Sequence, residues 1–227
     1  MVATDQGIAD LCCGIYAYPG EPSVGWSHYE PGGGLTGVCF GVVQADDEDL
    51  VIFRGTDNFA EWLDDFDFIA KPTLHSTLNE VHDGFLIGMP GAYTKIKALR
   101  RPSKPMRVGG HSLGASRANV LCGLAILDGD VPSGRVVFGE PFTGFASFSD
   151  MLSPIPWQSS YCNGDDDGHD LITEVPFPIP PRWPWVRPSP LIHVSQSPPA
   201  TDHSAFRYHH MQLYRAAPGK RNEGTGG

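Results

Sequence analysis

Apolar residues along the chain fall into two alternating rhythms. Short, dense apolar runs recur at "LTGVCFGVVQA", "DLVIFRG", "PMRVGG", "GRVVFGEP", "QSSYCNG" and "PLIHVSQ". Runs of this length and density fit strands. Between them, "NFAEWLDDFDF", "GFLIGMPGAYTKIKALR" and "LGASRANVLCGLAIL" place apolar residues at helical spacing. Strands alternating with helices predict an α/β architecture on a mostly parallel sheet. The stretch "PFPIPPRWPWVRPSP" holds too many prolines for regular structure and is predicted to be an irregular excursion. No internal repeat interrupts the pattern. One domain over 1–215 is expected, with a disordered tail over 216–227.

Composition narrows the function classes. At 227 residues and 41% hydrophobic content, the chain can bury a substantial core. Its net charge of −10 leaves no cluster of Lys and Arg for phosphate backbones, so nucleic acid is excluded as a partner. No apolar run approaches the roughly 20 residues that cross a bilayer, so no transmembrane segment is expected. The opening "MVATDQGIADLCCGIYAY" lacks a basic start and a long apolar centre, so no signal peptide is visible. The five cysteines are odd in number and lack CxxC spacing, which suggests neither a disulfide framework nor a zinc site. Buried thiols in a reducing, cytoplasmic compartment are the expectation. Secretion stays open, because a removed signal would leave the same N-terminus.

The candidate chemistry centres on "VGGHSLGASRANV". Gly110, His111, Ser112, Leu113 and Gly114 form G-x-S-x-G between a short strand and a helical run. A serine on such a turn is held in a strained backbone conformation that flanking glycines sterically permit, and its hydroxyl is presented at the sheet edge. The following helix directs its positive end at Ser112, and the Leu113 amide points where an oxyanion forms. Ala115, Ser116 and Ala118 let that helix lie close to the strands. Serine at its ordinary pKa is a weak nucleophile and needs a histidine base oriented by a carboxylate. In this fold both follow the serine in the chain, acid before histidine.

The ordered blocks "VIFRGT", "EWLDDFDF", "VHDGF", "GGHSLGAS", "VVFGEPFTG", "HDLITEVP" and "DHSAF" together resemble the class 3 lipase family, which includes the fungal triacylglycerol lipases. The resemblance implies an α/β-hydrolase fold and a triad of Ser112, Asp170 and His203. Asp170 matches the aspartate of a D-x-V/I pattern ending in proline, and His203 matches the histidine of "DHLSYF". It also implies Thr56, closing FRG[ST], as the second oxyanion donor beside Leu113. Two departures stand out. Phe142 occupies the position where the family's "FGxPR" block carries arginine, and the segment before the expected histidine shrinks to "SQSPPATD". His203 has to reach Ser112 across that short connection.

Several residues carry competing readings. His193 resembles a family strand histidine with a structural role, and His111 and His82 read as hydrogen-bonding scaffold around the elbow. His209 and His210 rank as runners-up for the base. Asn163, Asp165, Asp167, Gly168 and Glu174 match a calcium-loop pattern except for the asparagine, but the flanking segments are not helices. The acids therefore read as a solvated turn holding Asp170, and no metal is expected. Phe59, Trp62, Leu63 and Phe66 fall on one face of an amphipathic segment after Thr56, and Asn58 with Glu61 fits a capping box. That segment reads either as a lid, as in the fungal lipases, or as an ordinary helix on the core. Its acids disfavour anionic membranes and favour neutral lipid or small ester substrates, possibly at a lipid–water interface.

The expectation is a serine carboxylic ester hydrolase of α/β-hydrolase fold that needs no cofactor. A lipase for acylglycerols stands against an esterase for soluble short-acyl or feruloyl-type esters. From a different class stands an inactive lipid-binding module.

Overall fold

The computed structural model describes residues 3–17, 25–32, 37–56, 78, 80–165, 168–175, 185–196 and 209–215. A central sheet organises them. Strands β1 (His28–Glu30), β2 (Phe40–Gln44) and β3 (Asp49–Phe53) run antiparallel to one another. From β3 onward, β4 (Met106–His111), β5 (Gly134–Phe138), β7 (Gln158–Asp165) and β10 (Leu191–Val194) continue the sheet in parallel. The order is β1-β2-β3-β4-β5-β7-β10. A short β8 (Gly168–His169) folds back on the end of β7. Two further short strands, β6 (Gly144–Phe145) and β9 (Trp185–Val186), pair outside the sheet.

Every residue of β3, β4 and β5 is buried, because helices cover both faces of these strands. On one face lie α2 (Asp83–Leu86), α3 (Met89–Leu99) and α4 (Leu113–Leu127), packed through Phe85, Met89, Ile96, Val120 and Leu121. On the other lie α1 (Asp5–Ala17) and α6 (Met211–Arg215), through Ile8, Leu11, Ile15 and Tyr214. A small α5 (Ala146–Met151) follows β6. This is the α/β-hydrolase arrangement the sequence predicts, with a mostly parallel sheet and flanking helices.

Three local details depart from the predicted pattern. The expected single helix through "GFLIGMPGAYTKIKALR" is two helices, broken where Gly88 takes a left-handed φ of 76° and Pro90 starts the second. The proline-rich excursion contributes the short strand Trp185–Val186, which pairs with β6. Helix α1 went unassigned in the sequence reading, although its buried Ile8, Leu11, Cys12 and Ile15 keep helical spacing. The segment "NFAEWLDDFDF", with Phe59, Trp62, Leu63 and Phe66, lies outside the described residues, as do Asp166, Asp167, 176–184 and the tail 216–227.

All five cysteines carry free thiols, four of them buried and Cys13 partly so. Among the described residues, no helix is long and apolar enough to cross a membrane.

Candidate active site

The elbow forms because β4 ends against the start of α4 with almost no connecting chain. Ser112, the one residue between them, takes φ 60° and ψ −130°. A non-glycine residue in that region is strained and persists only where its surroundings fix it. They do so here through the Ser112 amide, which donates to the Phe138 carbonyl at 3.0 Å, and the Ser112 carbonyl, which accepts from Ala115 at 2.8 Å. The neighbouring glycines leave no room for side chains. A Cβ at Gly110 would lie 2.2 Å from the Gly114 carbonyl oxygen, and one at Gly114 would lie 2.3 Å from that of Phe53. The Ser112 hydroxyl is buried and makes no hydrogen bond among the described residues.

The loop after β3 is pressed against this turn. A Cβ at Gly55 would lie 2.7 Å from the His111 carbonyl oxygen and 3.0 Å from Ser112 Cβ. Thr56 follows directly and is half-buried, while Leu113 is buried as the first residue of α4. Thr56 is thus the residue after the glycine that touches the elbow, and Leu113 the residue after the serine itself.

Asp170 is fully buried at the N-terminus of a 3₁₀ turn, Leu171–Glu174, and caps it by accepting from the Ile172 amide at 3.0 Å. Its other carboxylate oxygen meets His209 Nδ1 at 2.7 Å and also accepts from the Tyr214 hydroxyl. Burial alone would raise the Asp170 pKa. The facing His209, its hydrogen bond, the Tyr214 hydroxyl and the Ile172 amide outweigh this and hold the carboxyl below its ordinary range. Tyr214 responds oppositely: burial and the adjacent carboxylate push its phenol well up, so it stays a neutral donor. The close approach of acid and imidazole depends on Gly139, with φ 54°. A Cβ there would lie 2.7 Å from Asp170 Oδ2 and 2.8 Å from His209 Cε1.

His203 lies outside the described residues, and the imidazole on Asp170 is that of His209, the runner-up. The physical reason is the short helix α6. It carries Tyr214 onto the same carboxylate, and His209, two residues before that helix, meets that carboxylate as well. Because Nδ1 faces a carboxylate it carries the proton, which leaves Nε2 as the basic nitrogen.

The other histidines sort by surroundings. His111 is buried beside the elbow and bonded on both ring nitrogens. His82 instead caps α2, its Nδ1 accepting from the Gly84 amide at 3.1 Å, and burial lowers its pKa to about 4. His193 and His210 are exposed. Asn163, the first position of the calcium-like pattern, turns its amide to the Gln196 backbone at 3.0 and 3.1 Å. Phe142, where the family carries arginine, is covered by the Arg187 guanidinium at 3.8 Å. An arginine thus returns to that place from β9's end of the chain.

Comparison with known proteins follows this geometry. Residues 50–178, more than half of the chain, match the family Lipase (class 3). The chain belongs to the class 3 lipase family. No curated protein matches it in sequence. Solved structures resemble this class 3 lipase at low identity. A mutant form of MDLA from Penicillium cyclopium is 16% identical with TM-score 0.61, over 89% of this chain and 81% of that one. Rhizomucor miehei triacylglyceride lipase is 17% identical with TM-score 0.59, over 86% and 82%. A triacylglycerol lipase whose catalytic centre is described as a serine protease triad is 20% identical with TM-score 0.58, over 78% and 77%. At these identities the likeness establishes the fold.

Proposed function

We propose that this class 3 lipase is a serine carboxylic ester hydrolase that cleaves acylglycerols or related neutral lipid esters through an acyl-enzyme. The observation that carries the reading is the 2.7 Å contact between buried Asp170 and His209, together with an elbow serine whose buried hydroxyl makes no hydrogen bond among the described residues. Ser112 Oγ attacks the ester carbonyl carbon while His209 Nε2 accepts its proton. Asp170 keeps the imidazole in the Nδ1–H tautomer and stabilises its cation. The oxyanion is received at the start of α4 by the Leu113 amide and, across the elbow, by Thr56. Collapse expels the alcohol, which takes the proton from His209, and water then repeats both steps on the acyl-enzyme. No metal or organic cofactor enters this sequence.

Covalent labelling by a small organophosphonate tests the nucleophile, with Ser112→Ala expected to abolish it. Turnover of p-nitrophenyl butyrate tests the base. His209→Ala should lose the activity and His203→Ala should keep most of it, whereas the opposite result would return the role to His203. A rate that jumps above the substrate's solubility limit marks a lipase, and its absence marks an esterase for soluble esters. An unlabelled wild-type protein would favour a lipid-binding module.

A further inference from the structure

The residue before the nucleophile makes two contacts that the mechanism above does not use. His111 Nε2 lies 2.8 Å from the main-chain carbonyl oxygen of His209, and its Nδ1 lies 2.9 Å from the Tyr16 hydroxyl of α1. The rings of His111 and His209 stack with centroids 4.5 Å apart and planes 29° apart. A carbonyl oxygen only accepts, so Nε2 must carry a hydrogen. Burial lowers the His111 pKa to about 3, so the ring is neutral and Nδ1 is left as an acceptor for the tyrosine hydroxyl. Both protons are therefore assigned, and each bond supports the other.

This arrangement joins the two reacting groups by a short route. His111 is covalently next to Ser112, and it is hydrogen-bonded to the backbone of the residue that faces Asp170. His209 lies 98 positions from His111 along the chain, so the contact joins two distant segments. A base has to sit within a fraction of an ångström of its productive position, because misplacement of about 1 Å costs on the order of a hundredfold in rate. Asp170 meets the ring at Nδ1, whereas His111 bonds the main-chain carbonyl of the same residue, a second hold at a different atom.

Resting on the assignment of His209 as the base, we propose that His111 is a positioning residue: its Nε2–H, aimed by Tyr16, fixes the His209 backbone so that the imidazole is held over the elbow. Tyr16 is its outer support. The Arg54 guanidinium lies 5.3 Å over the Tyr16 ring, which ties α1 to the same loop that carries Thr56.

Hydrogen bonding and ring packing give opposite rankings for two substitutions. His111→Phe keeps a ring to stack on His209 but has no donor. His111→Gln has no ring but places an amide donor near the position of Nε2. Turnover of p-nitrophenyl butyrate is measured for both, together with KM, thermal midpoint and the reference His209→Ala. His111→Phe should lose about ten- to a hundredfold in kcat at nearly unchanged KM, and His111→Gln should recover most of that loss. Tyr16→Phe should lose less than His111→Phe, and combining the two should add little. Should His111→Phe fail to fold, Tyr16→Phe decides: a lowered kcat supports the proposal and a wild-type kcat overturns it. A wild-type kcat in folded His111→Phe, or His111→Gln no better than His111→Phe, overturns it too. Those results leave the base untouched provided His209→Ala is inactive, whereas an active His209→Ala removes the base assignment itself.

Discussion

Two buried polar clusters sit at the end of β5, and they differ in one respect. In the first, Arg135 of β5 meets Glu140 through Nη2 at 2.8 and 2.9 Å, and Ser160 of β7 lies 3.0 Å from the same nitrogen. Asn119 of α4 donates to Glu140 and to Thr143 and accepts from Arg135 Nε. Every polar atom of these side chains has a partner. In the second cluster Tyr16, His111, Asp170 and Tyr214 are equally well bonded, yet the hydroxyl of Ser112, next to His111 in the chain, makes no hydrogen bond among the described residues. The saturated cluster ties strand, helix and turn into a fixed floor, and Glu140 adjoins the Gly139 on which Asp170 and His209 pack. The other keeps one reactive group open. Ionic closure belongs to the scaffold, and one deliberate gap belongs to the chemistry.

Removing the gap should cost nearly all the activity and no stability. Ser112→Ala is expected to lower p-nitrophenyl butyrate turnover by about a thousandfold or more, with a thermal midpoint equal to or above wild type because an unpaired buried hydroxyl and its strain are relieved in part. Opening the saturated cluster should do the reverse. Arg135→Met leaves Glu140 charged and buried, a loss of about 3–5 kcal/mol readable by urea unfolding. The pair Arg135→Met with Glu140→Leu should recover part of that loss, since the uncompensated charge is gone. If Arg135→Met unfolds like wild type, the distinction between scaffold and chemistry fails.

Acid sharpens the comparison further. His82 and His111 are neutral in the fold, with pKa values lowered by burial to about 4 and about 3. In the unfolded chain each titrates near 6.5. Between these values the unfolded state binds protons that the native state refuses, so stability is full above pH ~6.5 and declines as pH falls toward 4. The thermal midpoint should drop between pH 7 and pH 5, and less steeply in His111→Gln. The smallest effect is expected at Arg117 of α4, which is buried with its Nε unbonded and its pKa lowered to about 10 by burial. Arg117→Leu should raise stability by about 1 kcal/mol, measured by the same melts.

How much of this was legible in the sequence follows from how local each feature is. Strand β3 stands out because burial on both faces makes Leu50–Phe53 a continuous apolar run, and β5 does so through Val136–Phe138. Ser112 is legible because strand, glycines and helix are adjacent in the chain, so its strain is written locally. Asp170 rests on a short pattern ending in proline. The imidazole is another matter: its contact with Asp170 spans 39 positions and is decided by where α6 docks, which no local string encodes. The resemblance of "DHSAF" to a family block drew the assignment to His203, a position the described residues leave untested. The break at Gly88 was visible as a glycine followed by Pro90, but the surrounding apolar spacing masked it. The Arg187 contact over Phe142 had no signal, because the two residues are 45 positions apart.

Helix α1 packs against α6, where Gln6 donates to the Arg215 carbonyl at 2.9 Å and Arg215 Nε meets Asp10 at 2.8 Å. A segment early in the chain is thus a splint for one met last, and Tyr16 extends that splint to the elbow. During synthesis the ribosome releases the splint long before it delivers the limb to be set, so esterase activity should emerge only once both have left the exit tunnel.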